Sequence, residues 1–444
     1  MPRRSLWIIL AVVIVSLACY ERADRNPYGR WFSEVLETID RYYLEPVDDQ
    51  RLFEGALNGM VRKLDDYSAF LPRSEAPQFQ ESLDQQYGGI GIEVIEGPQQ
   101  GVTIKSPIIG TPAFKAGLKV GDTIVAVDGK KIAGVSLREL VKLLRGKPGE
   151  AVSLTIRRAG DNEPLDFKLV RALIKMDSVT GYQRDADGAW DFMLPGDDRL
   201  GYTRIDVFGE ATVSEFEVAL KALATKNCRG LVIDLRNNPG GLLQAAERIC
   251  DLFVPAGALI VSTRGRDARE RNRYLASGSG PYQTLPLVVL VNDKSASAAE
   301  IVAACLQDHH RATVVGERTW GKGTVQNVIP LEGGKSLLKL TIASYWRPSG
   351  KNIHRSSTSQ ATDDWGVQPD PGCEVEPENQ PAAATSDAGK ATTNPLADQP
   401  AEAATAPVPS DPKSRFERDR QLRRAIEVLE EKLAPPAAAK PNAA

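Results

Sequence analysis

Two stretches of this 444-residue chain repeat one local order, and together they constrain the fold more than any other feature. The first, CRGLVIDLRNNPGGLLQAAERICDLF (Cys228–Phe253), runs a continuous apolar strand into a Pro-Gly-Gly turn and then a helix. The second, LPLVVLVNDKSASAAEIVAACLQDH (Leu285–His309), gives a strand over Leu285–Val291, a polar turn and a helix starting near Ala298. Apolar runs of this kind read as buried strands covered by helices, so the region from Met176 to Asp370 reads as an α/β core. Each unit leaves unpaired backbone N–H groups where its helix begins, a place that stabilises developing negative charge. A serine in the second turn faces that place. Taken singly, it reads as an ordinary helix cap, for which serine is a favoured residue.

A serine hydroxyl needs a base to become a nucleophile, and histidine is the usual one. The chain has three histidines, His309, His310 and His354. His309 and His310 follow Ser297 by a helical run of about 18 Å, at 1.5 Å per residue, and so point away from it. A buried lysine can take the part, because removal from water favours the neutral amine. The segment GERTWGKGTVQNVIPL (Gly316–Leu331) places Lys322 between Gly321 and Gly323, beside Trp320 and Val325, in an apolar strand-like run. A charged, unpaired amine is costly there.

Upstream, YGGIGIEVIEG opens a separate module. The strands IGIEVI, GVTIKSPI, DTIVAVDGKKI and VSLTIRR are separated by turn signals, and SLRELVKLLRG makes one amphipathic helix with Ser136 and Glu139 at capping-box spacing. With TPAFKAGLKVGDTIVAVDG, this order resembles a PDZ domain over residues 87–171. In that family a peptide carboxyl terminus adds as an extra strand beside a loop whose backbone amides hold the terminal carboxylate. The resemblance puts that loop at Gly88, Gly89, Ile90, Gly91 and Ile92. Further upstream, WFSEVLETIDRYYLEP spaces Phe32, Val35, Leu36, Ile39 and Tyr43 by threes and fours, and LFEGALNGMVRKLDDYSAFL repeats the period until Asp65 and Asp66 break it. Residues 28–77 therefore read as a helical domain.

VNDKSASAAEI followed by GERTWGKGTVQ resembles the carboxy-terminal processing peptidases, or tail-specific proteases, a Ser-Lys serine peptidase family. The family pattern is Ser-Ala-Ser-Ala-x-Glu, then Gly-Lys-Gly-x-x-Gln. The resemblance implies Ser297 as nucleophile, Lys322 as base, Gln326 as the residue that orients the lysine, and Ser295 as a turn residue. DLRNNPGG is similar to the loop that helps form the family's oxyanion hole, which implies the N–H groups of Ala298 and of either Gly240 or Gly241 as donors. Positions 322 and 326 of a straight strand are about 13 Å apart at 3.3 Å per residue, so Gly321 and Gly323 must bend the chain for Gln326 to serve in that way. KLDDYS departs from the family, which commonly has proline after the first Asp.

The implied protein is a multidomain α+β chain with a crotonase-like α/β peptidase core over 176–370. It captures exposed protein C-termini through its PDZ domain and cuts near them by acyl-enzyme chemistry, without metal or other cofactor, with an adaptor or activator protein and self-association as implied partners. Two other classes fit parts of the sequence: a PDZ scaffold on an inactive peptidase fold, against which Ser297 and Lys322 stand, and an acyl-CoA enzyme of crotonase type, which has no need of a PDZ module.

Composition and the chain ends add context. A chain of this length, 42% hydrophobic and 25% charged, holds two or three domains. Its 55 basic against 58 acidic residues and the lack of a long basic run speak against nucleic acid as a partner. Cys19, Cys228, Cys250, Cys305 and Cys373 are scattered without metal-ligand spacing, which disfavours a zinc site. Arg3 and Arg4 precede an apolar run, Leu6–Ala18, that fits an export signal or anchor over residues 1–20 and predicts an exported, envelope-associated protein. SLAC at 16–19 leaves lipidation of Cys19, ordinary cleavage and an uncleaved anchor all open. Residues 371–413, rich in Ala, Pro and small polar residues, read as a disordered linker. SRFERDRQLRRAIEVLEEKLA (414–434) then returns to helix, with Phe416, Leu422, Ile426 and Leu429 along one stripe. A related DxQLxxAxxxL segment occurs in the family, matched here from Asp419. In some members C-terminal helices support dimers; a solvated tail helix is the other reading.

Overall fold

The computed structural model describes residues 7, 9–16, 27–96, 101–161, 163–185, 188–356, 358–360, 362–377 and 418–434. Cys19 and nearly all of the expected 371–413 linker lie outside the described residues, as does most of the 1–20 segment, of which residues 9–16 are helical. Among the described residues no helix is long and apolar enough to cross a membrane. The chain divides into two units, Met1–Pro72 with Val328–Lys339, and Arg73–Asn327 with Leu340–Ala444.

In the first unit the three-and-four apolar spacing produces helices Pro27–Tyr42 and Asp49–Val61. Phe32 of one meets Phe53 of the other edge-on, ring centres 5.9 Å apart. Asp48 caps the second helix by accepting from the Arg51 N–H. At KLDDYS the Asp65 carboxylate accepts from the N–H groups of Tyr67 and Ser68 and from the Ser68 hydroxyl. That turn, where the helical period breaks, delivers a strand, Ala69–Leu71, antiparallel to residues 337–339, so the helical domain read over 28–77 also carries a strand.

The second unit opens with helix Ala76–Asp84, which runs through the domain end read at residue 77. Pro77 sits in its first turn, where the missing N–H has no helical partner, so the proline starts a helix here. Strand Gln86–Gly89 then pairs antiparallel with Ala172–Lys175. Between them lies an antiparallel sheet in the order Ile92–Glu96, Val102–Pro107, Thr123–Val127, Ala151–Arg157, Leu165–Val170, with Lys130–Lys131 beside Thr123–Val127. The Ser136/Glu139 capping box is formed, starting helix Leu137–Leu144. Leu140 of this helix packs with Ile90, Ile104, Leu154 and Ile156 in one apolar core.

The α/β core is a five-stranded sheet in the order Val179–Thr180, Leu200–Ile205, Gly230–Asp234, Leu287–Val291, Ala312–Gly316, its last four strands parallel. Alternate residues of its central strands serve two layers. Leu231, Ile233, Leu287, Val289 and Val291 pack with helices Thr212–Thr225, Leu243–Asp251 and Ala298–Asp308. Val232, Val288 and Leu290 pack on the opposite face with Leu422, Ala425, Val428 and Leu429 of helix Arg420–Leu433. The C-terminal helix is thus a structural layer of the core, not a solvated tail. Residues just past 370 also belong to the core: Gly316 donates its N–H to the Cys373 carbonyl and accepts from the Val375 N–H, and Cys373 is buried.

Candidate active site

The second strand-turn-helix unit places Ser297 at the N-cap of helix Ala298–Asp308, at the carboxyl end of the buried strand Leu287–Val291. Its backbone is left-handed, φ 55° and ψ −112°, a conformation that a β-carbon disfavours and that surrounding contacts must hold. Those contacts are visible. The Ala296 N–H donates to the Asn238 carbonyl at 2.9 Å, tying this turn to the Pro-Gly-Gly loop. The Ser295 hydroxyl donates to the Leu235 carbonyl at 2.8 Å and accepts from the Asn292 N–H at 2.9 Å, so it serves the turn.

After strand Ala312–Gly316 the chain crosses to strand Thr324–Leu331 through an irregular segment that carries Lys322. Gly321 turns the chain at φ +87°, and a β-carbon on Gly323 would sit 2.2 Å from the His354 nitrogen, so the close approach of that backbone requires glycine. Lys322 is buried, 1% exposed. Gln326 lies on the strand that follows, and its amide nitrogen donates to the Thr324 hydroxyl at 2.8 Å and to the Thr341 hydroxyl at 3.4 Å. His309 stands at the far end of the Ser297 helix, where its ring nitrogen meets the Leu259 carbonyl at 2.7 Å.

The two glycines of the first turn differ in use. The Gly240 N–H donates to the Asn238 side-chain oxygen at 2.8 Å, and its carbonyl accepts from the Phe208 N–H. A β-carbon at Gly240 would lie 2.7 Å from the Ser297 β-carbon and 3.0 Å from the Ala298 nitrogen, so the loop backs directly onto the nucleophile turn. Gly241, at φ +138°, packs its α-carbon against the Phe208 backbone.

In the PDZ-like module the expected carboxylate loop is only partly a loop. Gly88 and Gly89 are strand residues, opposite Leu173 and Ala172. Ile90 is buried and accepts from the Ala113 N–H, Gly91 turns the chain at φ +79°, and Ile92 begins a strand that stands at the edge of the sheet. The groove candidate therefore shrinks to the Ile90–Ile92 turn with the edge strand Ile92–Glu96 and the facing helix Leu137–Leu144, whose Leu137 and Leu140 share a core with Ile92 and Val94.

Residues 199–371 match the family model described as Peptidase family S41, residues 103–158 the PDZ domain, and residues 26–74 the Activating protease CtpB N-terminal domain. The chain is 38% identical over 355 residues to the carboxy-terminal-processing protease of Bartonella bacilliformis, spanning 79% of this chain and 78% of that protein. This chain belongs to the carboxy-terminal processing proteases of peptidase family S41. It is also 37% identical to the carboxy-terminal processing protease CtpB of Bacillus subtilis, over 75% of this chain and 67% of that protein. Among solved structures it resembles the photosystem II D1 C-terminal processing protease, at 29% identity and a TM-score of 0.44, over 78% of this chain and 92% of that one.

In this carboxy-terminal processing protease, Glu300 joins the segments that the sequence separates. Fully buried, its carboxylate accepts from the Ser297 and Lys322 N–H groups on one oxygen, each at 2.8 Å. The other oxygen accepts from the Gly321 N–H at 2.7 Å and the Thr319 hydroxyl at 2.6 Å. Burial pushes its pKa up to about 7, against the lowering effect of these hydrogen bonds. Sequence reasoning assigned Glu300 no role, although an acid inside the apolar run AAEIVAAC signals a buried partner. A second missed group is Asp234, buried at the end of its strand. Its burial would raise the pKa, but Arg236 and Arg204 outweigh it and hold the carboxyl well below the usual range.

Proposed function

We propose that this protease cleaves polypeptides near their carboxyl termini by a Ser297–Lys322 acyl-enzyme mechanism. The observation that carries the reading is the Glu300 carboxylate, one oxygen of which takes the backbone N–H of both Ser297 and Lys322 and so holds residues 25 positions apart within two hydrogen bonds of each other. Lys322 is buried, and an amine out of water gives up its proton more readily than a solvated one. The Lys322 amine takes the hydroxyl proton as the Ser297 oxygen attacks the scissile carbonyl, and returns it to the departing amine. Water, deprotonated by the same lysine, then attacks the ester; the acyl carbon–Ser297 oxygen bond breaks, the lysine returns the proton to that oxygen, and the new carboxyl terminus is released. The oxyanion donors are the Ala298 and Gly241 N–H groups, because that of Gly240 already serves Asn238. Gln326 sits on the strand leading away from the lysine and helps to shape that turn through Thr324.

Substrate selection falls to the PDZ domain. A carboxyl terminus adds to the edge strand Ile92–Glu96, its carboxylate at the Ile90–Ile92 turn. The basic start and apolar run of residues 3–18 support export and attachment to the cell envelope; membrane fractionation of the native protein tests that placement. An activator protein and self-association remain part of the reading, checked by sedimentation of the purified chain.

The deciding experiment incubates the purified protein with an unfolded substrate and identifies the products by mass spectrometry, beside Ser297→Ala. Cleavage near the carboxyl terminus that disappears in the variant supports the mechanism. Persistent cleavage by Ser297→Ala overturns it.

A further inference from the structure

The DxQL segment at the start of the C-terminal helix finds no part in the mechanism above, yet it reaches the catalytic loops. Arg236 lies on the loop between strand Gly230–Asp234 and the glycines behind Ser297. Its guanidinium is engaged all round. The Nε and one terminal nitrogen donate to Asp234, the latter at 2.6 Å. Both terminal nitrogens donate to Asp419, at 2.8 and 2.9 Å, and one also donates to the Gln421 side-chain oxygen at 3.1 Å. A planar guanidinium held by two carboxylates in this way has a fixed position and plane.

That position is transmitted over a short distance. Asn237, next in the chain, is held left-handed at φ 60° and donates its N–H to the Asn292 side chain. Asn238 follows, with its amide nitrogen on the Ile205 carbonyl, its side-chain oxygen on the Gly240 N–H and its own carbonyl on Ala296. The helix that carries Asp419 and Gln421 is itself anchored. Asp419 caps it by accepting from the Leu422 N–H, Gln421 donates to the Val375 carbonyl, and Lys432 donates to the Leu287 carbonyl.

We propose that Asp419 and Gln421 are positioning residues for the oxyanion loop, acting through Arg236, so that the C-terminal helix completes the active site. This rests on the assignment of the Gly240–Gly241 turn to the oxyanion hole. In Asp419→Asn the amide nitrogen faces guanidinium N–H groups and the bidentate pair is lost, which frees the loop to shift. Displacements of about 1 Å cost up to roughly 100-fold in rate, so kcat is expected to fall about 10- to 100-fold with KM nearly unchanged. Asp419→Glu restores part of it, and Gln421→Leu, which removes a single acceptor, gives a smaller loss. Glu427→Gln, on the same helix at a carboxylate paired with Arg424, keeps wild-type kcat.

The test measures kcat and KM of these full-length variants well below their melting temperatures, with Ser297→Ala alongside. Hydrogen exchange by mass spectrometry covers a peptide spanning 234–242 and one from the PDZ sheet. Faster exchange at 234–242 alone, together with the kcat loss, supports the proposal. Wild-type kcat in folded Asp419→Asn overturns it, and so does a loss accompanied by faster exchange in both peptides, which marks general destabilisation. A dead Ser297→Ala beside a fully active Asp419→Asn removes only the clamp; an active Ser297→Ala removes the site assignment itself.

Discussion

Replacing Glu300 with glutamine should make the protease more stable at mildly alkaline pH and less active at the same time. The carboxyl pKa rises from an ordinary 4.5 to about 7, chiefly by burial. An acid whose folded pKa stands above its unfolded one holds its proton more tightly when folded. The favourable contribution is therefore fully present below about 4.5 and is lost as pH climbs through 7, a change on the order of 3 kcal/mol. Glutamine does not titrate. Near pH 5 the protonated acid and the amide each offer a donor and a carbonyl, and their stabilities should agree to within about 1 kcal/mol. Near pH 8 the wild type has ionised and the variant has not. At roughly 2–4 °C per kcal/mol for a cooperative core the size of residues 176–370, the variant should melt about 5–10 °C higher. The activity moves the other way. Ionised Glu300 accepts on both oxygens, whereas glutamine turns a donor towards either the shared Ser297 and Lys322 N–H groups or that of Gly321. The two catalytic segments then lose their common anchor, and kcat/KM should drop about tenfold. Calorimetry at pH 5 and pH 8 with peptide cleavage at pH 8 reads both quantities. A melting difference that is equal at the two pH values, or wild-type kcat/KM in the variant, refutes the reasoning.

Three further outcomes follow from the same geometry. Ser297→Ala should abolish cleavage, while Ser295→Ala should retain most of it at the temperatures where it stays folded, since the Ser295 hydroxyl serves its turn through Leu235 and Asn292; product mass spectrometry distinguishes them. Lys322→Arg should lose about a thousandfold or more in kcat because a guanidinium cannot act as a base at neutral pH, and Lys322→Met, nearly isosteric and uncharged, should lose as much while melting normally. Amidating a substrate's carboxyl terminus should raise KM by about tenfold or more, because the amide forfeits charge-assisted hydrogen bonds to the PDZ turn; equal rates for acid and amide would rule out carboxylate capture at Ile90–Ile92.

The strand-turn-helix units were legible because their signals are local. LVID and LVVLV are continuous apolar runs, and the structure buries every residue of both strands. Gly321, next to the lysine, has the left-handed backbone of a tight turn, while the Gln326 amide is held by the Thr324 and Thr341 hydroxyls. Elsewhere local rules admit two outcomes. Pro77 suits a helix start as well as a stop, and its neighbours decide which. Gly88 and Gly89 are expected in the carboxylate-binding loop, but their partner strand, Ala172–Lys175, lies more than 80 residues away and makes them part of a sheet.

The residues that hold the site together were the least legible, and for one physical reason. A nucleophile at a helix mouth or a lysine between two glycines requires a particular backbone, and that requirement leaves a motif in adjacent positions. A positioning residue requires only a partner, and folding supplies it from anywhere in the chain. Glu300 finds Thr319, Gly321 and Lys322 across a turn and a strand; Arg236 finds Asp419 at the far end of the polypeptide. Such pairs still leave a weaker trace. A charge in an apolar helix, or a polar pair opening an amphipathic one, must be neutralised or hydrogen-bonded once buried, since an isolated ion in the interior costs several kcal/mol. Reading Glu300 and Asp419 as demands for a partner directs attention to the catalytic loops, because those loops carry the unpaired backbone N–H groups and the buried arginine that can satisfy them.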